Sequence, residues 1–158
     1  MNLFEPASSD PQTDATRLLT SLHSPITDPY PLPVVPEVLA EQIGLITIDY
    51  DLPQLCLGYL HWDDLGPHIV INRNLPACRR RLVQAQELGR FVDIMQQGKR
   101  EEYQQGSYRN DSYATRFAQE LLMPQYTIAQ LPPDVSLLAD AFGVDQATIK
   151  RRLSDLAL

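Results

Sequence analysis

Apolar residues recur at helical spacing along "TDATRLLTSLH" (13–23), where Leu18, Leu19 and Leu22 share a face behind Asp10 or Thr13 as a capping side chain. The period then breaks. "SPITDPYPLPVVP" (24–36) holds five prolines, which fix φ and bias each preceding residue away from the helical region, so this stretch is expected to run extended. "PEVLAEQIG" (36–44) reads as a short helix, with Pro36 in its first turn and Gly44 at its end. Three runs rich in β-branched and aromatic residues follow: "LITIDY" (45–50), "LCLGYLHW" (55–62) and "HIVIN" (68–72). The turn residues between them predict a small antiparallel meander.

From Pro76 the period changes to 3.6. "PACRRRLVQAQELGRFVDIMQQG" (76–98) places Leu82, Ala85, Leu88, Gly89 and Val92 on one side and closes at Gly98. "KREEYQQGSYRN" (99–110) reads as a polar loop. "DSYATRFAQELLMP" (111–124) turns Ala114, Phe117, Ala118, Leu121 and Leu122 inward and stops at Pro124. Residues 132–156 read as two short helices around Phe142-Gly143-Val144. The fold class expected is α+β: a small three-stranded, mainly antiparallel sheet packed with helices, plus a C-terminal helix pair. The expected organisation is a loose terminus (1–11) and helix within 1–24, a central domain over 25–131, and the helix pair over 132–158 packed on the same domain.

Composition narrows the function classes. The 158 residues carry a net charge of −7. Residues 1–77 hold ten Asp/Glu against two Arg, whereas 78–158 hold ten against eleven Lys/Arg, so any basic face lies in the second half. General nucleic-acid affinity is disfavoured, because Lys/Arg neutralisation of phosphates carries most of it. No apolar run approaches the ~20 residues of a membrane span, and the N-terminus has no signal-peptide pattern. Cys56 and Cys78, with no CxxC spacing, are expected to be reduced thiols, which points to a cytoplasmic protein. Among His23, His61 and His68, the last two flank "WDDLGP", read as a solvated hairpin loop rather than a metal site.

The stretch "VQAQELGRFV" (83–92) differs from a zinc-binding H-E-x-x-H helix at two positions, Gln86 and Arg90. "HIVINRNLPACRRRLVQAQELG" followed in register by "FAQELLMP", together with "LPVVPEVLAEQIGLITIDYDLPQLCLGYL" before and "LLADAFGVDQATIKRRLSDLAL" after, resembles the ImmA/IrrE family of zincin-like metallopeptidases over residues 30–158. In that motif two His four apart bind Zn²⁺, the intervening Glu takes a proton from the metal-bound water, and a carboxylate from a later helix completes the ligands.

Carried over position by position, the resemblance puts Gln86 at the first His, Glu87 at the general base, Arg90 at the second His and Asp111 at the third ligand. Gln86 offers only a neutral amide oxygen. Arg90 is permanently cationic and presents donors alone, so it repels a divalent ion and suits a pairing with Glu87 or Asp111 instead. No metal and no other cofactor is expected, and Glu87 is expected to be catalytically inactive. Arg79, Arg80 and Arg81 read as a solvated first turn.

Active family members cleave helix-turn-helix repressors in prophages, mobile elements or stress responses. The resemblance therefore implies a catalytically inactive regulatory module that binds such a repressor as its protein partner. Two alternatives differ in class. One is a metal-dependent peptidase using an atypical site; the other is a DNA-binding regulator acting through residues 134–156, whose Lys150, Arg151 and Arg152 are types able to contact nucleic acid.

Overall fold

The computed structural model describes residues 10–22, 31–98 and 111–158. The terminal stretch up to residue 9, the proline-bearing stretch up to residue 30, His23 and the polar loop from 99 to 110 lie outside the described residues. The elements are α1 (Pro11–Leu22), α2 (Pro36–Gln42), β1 (Ile46–Tyr50), β2 (Gly58–Asp63), β3 (Gly66–Asn72), α3 (Ala77–Gln97), α4 (Ser112–Leu122), α5 (Gln125–Ile128), α6 (Val135–Phe142) and α7 (Gln146–Asp155). The class is α+β, a three-stranded sheet packed with helices.

Strand order differs from the expected meander. It is β1-β3-β2, with β1 parallel to β3 (Ile46 opposite His68) and β2 antiparallel to it (Leu60 opposite Ile69). Two properties of β3 explain this. Its run from His68 to Asn72 is buried throughout, as a central strand must be, whereas β1 is largely exposed. At its end the buried Asn72 donates from Nδ2 to the carbonyls of Leu52 (3.2 Å) and Cys56 (3.0 Å). Its backbone N–H also donates to Leu57 (2.9 Å). These bonds draw the 51–57 connection across the end of β3 and deliver β2 to its far side.

α3 lies across one face of the sheet, with Trp62 of β2 stacked on Phe91 at 6.3 Å between ring centroids. The other side of α3 meets α4, so α3 buries Val83, Glu87 and Phe91 as well as Ala85, Leu88, Gly89 and Val92 of the apolar side read from its period, while Leu82 is half-buried. The two helices approach closely at Gly89: a Cβ there would sit 2.8 Å from the Phe117 ring. On α4 the five inward residues expected from the period are all buried. α1, with Asp10 as its N-cap through Thr13 N (2.9 Å), buries Ala15, Leu18 and Leu19 in the same core and is tied to α4 by the Tyr113 hydroxyl, which donates to Asp14 at 2.6 Å.

The C-terminal pair shares that core through Leu138, Phe142 and Ile149. α6 ends at Gly143 in the left-handed region (φ 63), and the Gly143 carbonyl accepts a hydrogen bond from Arg81 Nη1 at 2.6 Å. Arg80 pairs with Asp49. Of the three arginines read as a solvated turn, only Arg79 is exposed; the other two fasten α3 to β1 and to the α6–α7 turn. His68 is likewise buried, with Nδ1 3.6 Å from Asp63 Oδ1, so the hairpin is solvated at His61 and Asp64 but not at His68.

Replacing Gly89 with Ala forces Phe117 or a helix to move, and overpacking of this kind costs about 1–3 kcal/mol. We expect a lowered urea midpoint for Gly89→Ala, partly recovered by adding Phe117→Leu.

Candidate functional site

The close α3–α4 approach brings three of the four sequence-selected positions together. Asp111 is the N-cap of α4: its Oδ1 accepts from Ala114 N at 2.9 Å, which fixes the carboxylate at the helix start. Its Oδ2 accepts from Arg90 Nε at 3.0 Å. Arg90 Nη1 donates to Glu87 Oε1, one turn earlier on α3. A single guanidinium thus bridges two carboxylates contributed by different helices. Glu87 is 3% exposed, and among the described residues its Oε2 has no hydrogen-bond partner. Burial pushes the Glu87 carboxyl above its ordinary range; Arg90 opposes that shift and the Asp111 charge adds to it.

Gln86 is half-buried at the junction of two cavities. On one side a groove of about 700 Å³ runs between α3 and the segment leading into β2, floored by Gln86, Glu87 and Arg90 and walled by Leu52, Leu55, Leu57 and Tyr59. On the other a smaller pocket of about 150 Å³ is bounded by Arg79, Gln86, Thr115, Gln119, Thr148 and Arg151. That pocket opens toward a third, of about 590 Å³, beside Asp111 and Arg116.

These side chains do not fit a divalent metal. Gln86 supplies a weak neutral donor, and both carboxylates that could serve are engaged by a guanidinium whose charge would oppose the ion. Among the described residues no group of three or more His, Cys, Asp or Glu side chains is placed to hold one.

The C-terminal basic residues separate in space. Lys150 and Arg151 are exposed on α7. Arg152 is not available to nucleic acid: it is 2% exposed, donates from Nε to the Met123 carbonyl at 3.2 Å, and pairs with Glu120 of α4. This buried pair was missed in the sequence, although a signal exists: Arg152 falls three residues after the buried Ile149, on the inward face of α7. Asp145 caps α7 through Thr148 N (2.7 Å), and Asp155 accepts from Gln119 Nε2 (3.0 Å).

Two outcomes follow from the bridge. Arg90→Met leaves Glu87 and Asp111 facing each other without a counter-charge, and its expected cost is about 3 kcal/mol by chemical denaturation near neutral pH, the low end for a broken buried pair. Glu87→Gln removes a carboxyl whose folded-state pKa is raised. The native Glu87 therefore favours folding fully below its ordinary value of 4.5 and loses that contribution as pH rises through the folded value. The stability of wild type relative to Glu87→Gln should fall as pH is raised from 4 toward 7, and a flat difference across urea titrations in that range would contradict it.

Residues 40–154, most of the chain, match the peptidase family described as IrrE N-terminal-like domain. Among curated proteins, none is a significant match to the sequence. Among solved structures, a Mycobacterium tuberculosis transcriptional regulator is similar in fold, with a TM-score of 0.60 and 19% identity over 91% of this chain. The chain spans 46% of that protein's length. Among the described residues no helix is long and apolar enough to cross a membrane. With its α3 and α4 positions in register, this chain belongs to the IrrE N-terminal-like domain family of peptidases.

Proposed function

We propose that the chain is a pseudo-peptidase: a regulatory module that keeps the family's scaffold, binds a helix-turn-helix repressor as its protein partner, and does not cut it. The observation that carries this reading is the Arg90 guanidinium between Glu87 and Asp111. A general base needs an acidified water, and a cation already bridges the two carboxylates that would surround it. Gln86, Arg90 and Asp111 are on this reading vestigial ligand positions, and Glu87 is an inactive general-base position retained as half of a buried ion pair. The fold neighbour is a transcriptional regulator, which supports a role in transcription regulation; the setting proposed with it, a prophage, mobile element or stress response in the cytoplasm, rests on the family resemblance alone.

The alternative of direct DNA recognition is weakened by the burial of Arg152, which leaves Lys150 and Arg151 as the exposed cations of α7.

Elemental analysis of untagged protein after incubation with excess zinc should give far less than one equivalent. Mixing with a repressor-like protein encoded by a neighbouring reading frame should give a stable complex by size exclusion, with both chains intact by mass spectrometry. The double change Gln86→His with Arg90→His, which restores H-E-L-G-H and frees both carboxylates, should bind zinc. One tightly held equivalent in the wild type, with cleavage of the repressor, would overturn the reading.

A further inference from the structure

The sheet has two edges, and β1 forms the one away from the groove beside Gln86. Ile46, Ile48 and Tyr50 share the face of β1 turned away from α3, and they are 51%, 40% and 60% exposed. Thr47 and Asp49 occupy the other face, beside the buried Ile69 and Ile71 of β3. The Tyr50 carbonyl accepts from Arg73 N at 3.0 Å, so alternation along the strand directs the backbone groups of Ile46, Ile48 and Tyr50 into the ladder with β3. The N–H and C=O groups of Thr47 and Asp49 therefore point outward, where the Asp49 carbonyl accepts a long bond from Arg73 Nη2 (3.4 Å).

Natural edge strands are commonly blunted by lysine, proline or a bulge, because an unprotected edge is a template for another strand. Residues 46–50 contain neither lysine nor proline, and their pairing with β3 runs without interruption from Ile46 to Tyr50. The acids here are also compensated. Asp49 pairs with Arg80, and the neighbouring Asp51 lies 3.6 Å from Arg73 Nε. Two copies of a chain of net charge −7 repel overall, and this edge is a locally neutral place for them to meet.

We propose that β1 pairs antiparallel with β1 of a second copy of the chain, about a two-fold axis at Ile48, so that the two sheets become one. The strand, I-T-I-D-Y, is self-complementary in that register. Ile48 meets Ile48 of the second copy in a non-hydrogen-bonded pair, and Ile46 meets Tyr50, an aliphatic residue against an aromatic one. Thr47 and Asp49, opposite each other, exchange the outward N–H···O bonds. An axis at Asp49 would instead set two carboxylates face to face, and an axis at Thr47 would carry Tyr50 past the end of the strand. A pair of short strands buries less than a standard interface, so the association is weak, with a dissociation constant of about 10–100 μM. The groove beside β2, on the opposite edge, stays open in the dimer.

Sedimentation equilibrium of the full chain should show a monomer–dimer equilibrium in that range. Ile48→Lys places two ammonium groups across the axis and should weaken it by about tenfold or more. Leu65→Ser, at another exposed leucine, should leave it unchanged. Register is read by cross-linking in a Cys56→Ser, Cys78→Ser background under copper–phenanthroline oxidation. Ile48→Cys should form a disulfide dimer. Ile46→Cys alone should not, whereas a mixture of Ile46→Cys and Tyr50→Cys chains should. Circular dichroism checks that each variant is folded. A wild-type chain that stays monomeric up to about 1 mM overturns the proposal. So does a dimer that Ile48→Lys leaves intact, or one in which Ile48→Cys does not cross-link. The proposal stands apart from the repressor-binding reading, since Ile48→Lys should still form the complex with the repressor-like protein if that reading holds.

Discussion

The contact between Gly89 and the Phe117 ring sets the spacing of α3 and α4, and the site depends on that spacing. A side chain at position 89 would hold the helices apart, since its Cβ would fall within 3.0 Å of three Phe117 atoms. With glycine there, Asp111 at the start of α4 comes within one guanidinium of Glu87. The same approach makes α3 a central helix, covered by the sheet on one side and α4 on the other. For that reason polar side chains such as Gln84 and Glu87 are buried along it beside Ala85, Leu88 and Val92.

A buried carboxylate needs a compensating positive group, because its desolvation is costly and its Coulomb partner acts through a low dielectric. In the H-E-x-x-H motif that this helix resembles, a metal ion would supply that charge. Here Arg90 supplies it, with a covalently attached cation that cannot dissociate, cannot acidify water and cannot leave an open coordination position. The Glu120–Arg152 pair meets the same requirement between α4 and α7, where Arg152 also takes up the Met123 carbonyl at the end of α4. Two arginines thus hold α4 in place, one at each end.

The apolar wall of the groove beside Gln86 has a comparable origin: it comes from the 51–57 connection, which runs where it does because Asn72 holds its carbonyls.

Much of this was legible from local pattern. Every helix of eight residues or more was expected within a few residues of its observed limits, since amphipathic period, Asp caps and glycine or proline stops act over one or two turns. The substitution of both motif histidines, and the fitness of Arg90 for a carboxylate partner, followed from residue chemistry alone. Strand order did not follow, because the three strand runs are equally compatible with a meander until side-chain bonds from Asn72 route the connection between them. Nor did the separate fates of Arg79, Arg80 and Arg81, or of Lys150, Arg151 and Arg152: consecutive residues on a helix point in different directions, and which of those directions is covered depends on distant elements. Sequence by itself determined the helices, the class and the altered motif. Tertiary structure alone decided which charges are buried together, because pairing Arg90 with Asp111, or Arg152 with Glu120, joins residues whose proximity is created only when α4 packs against α3 and α7.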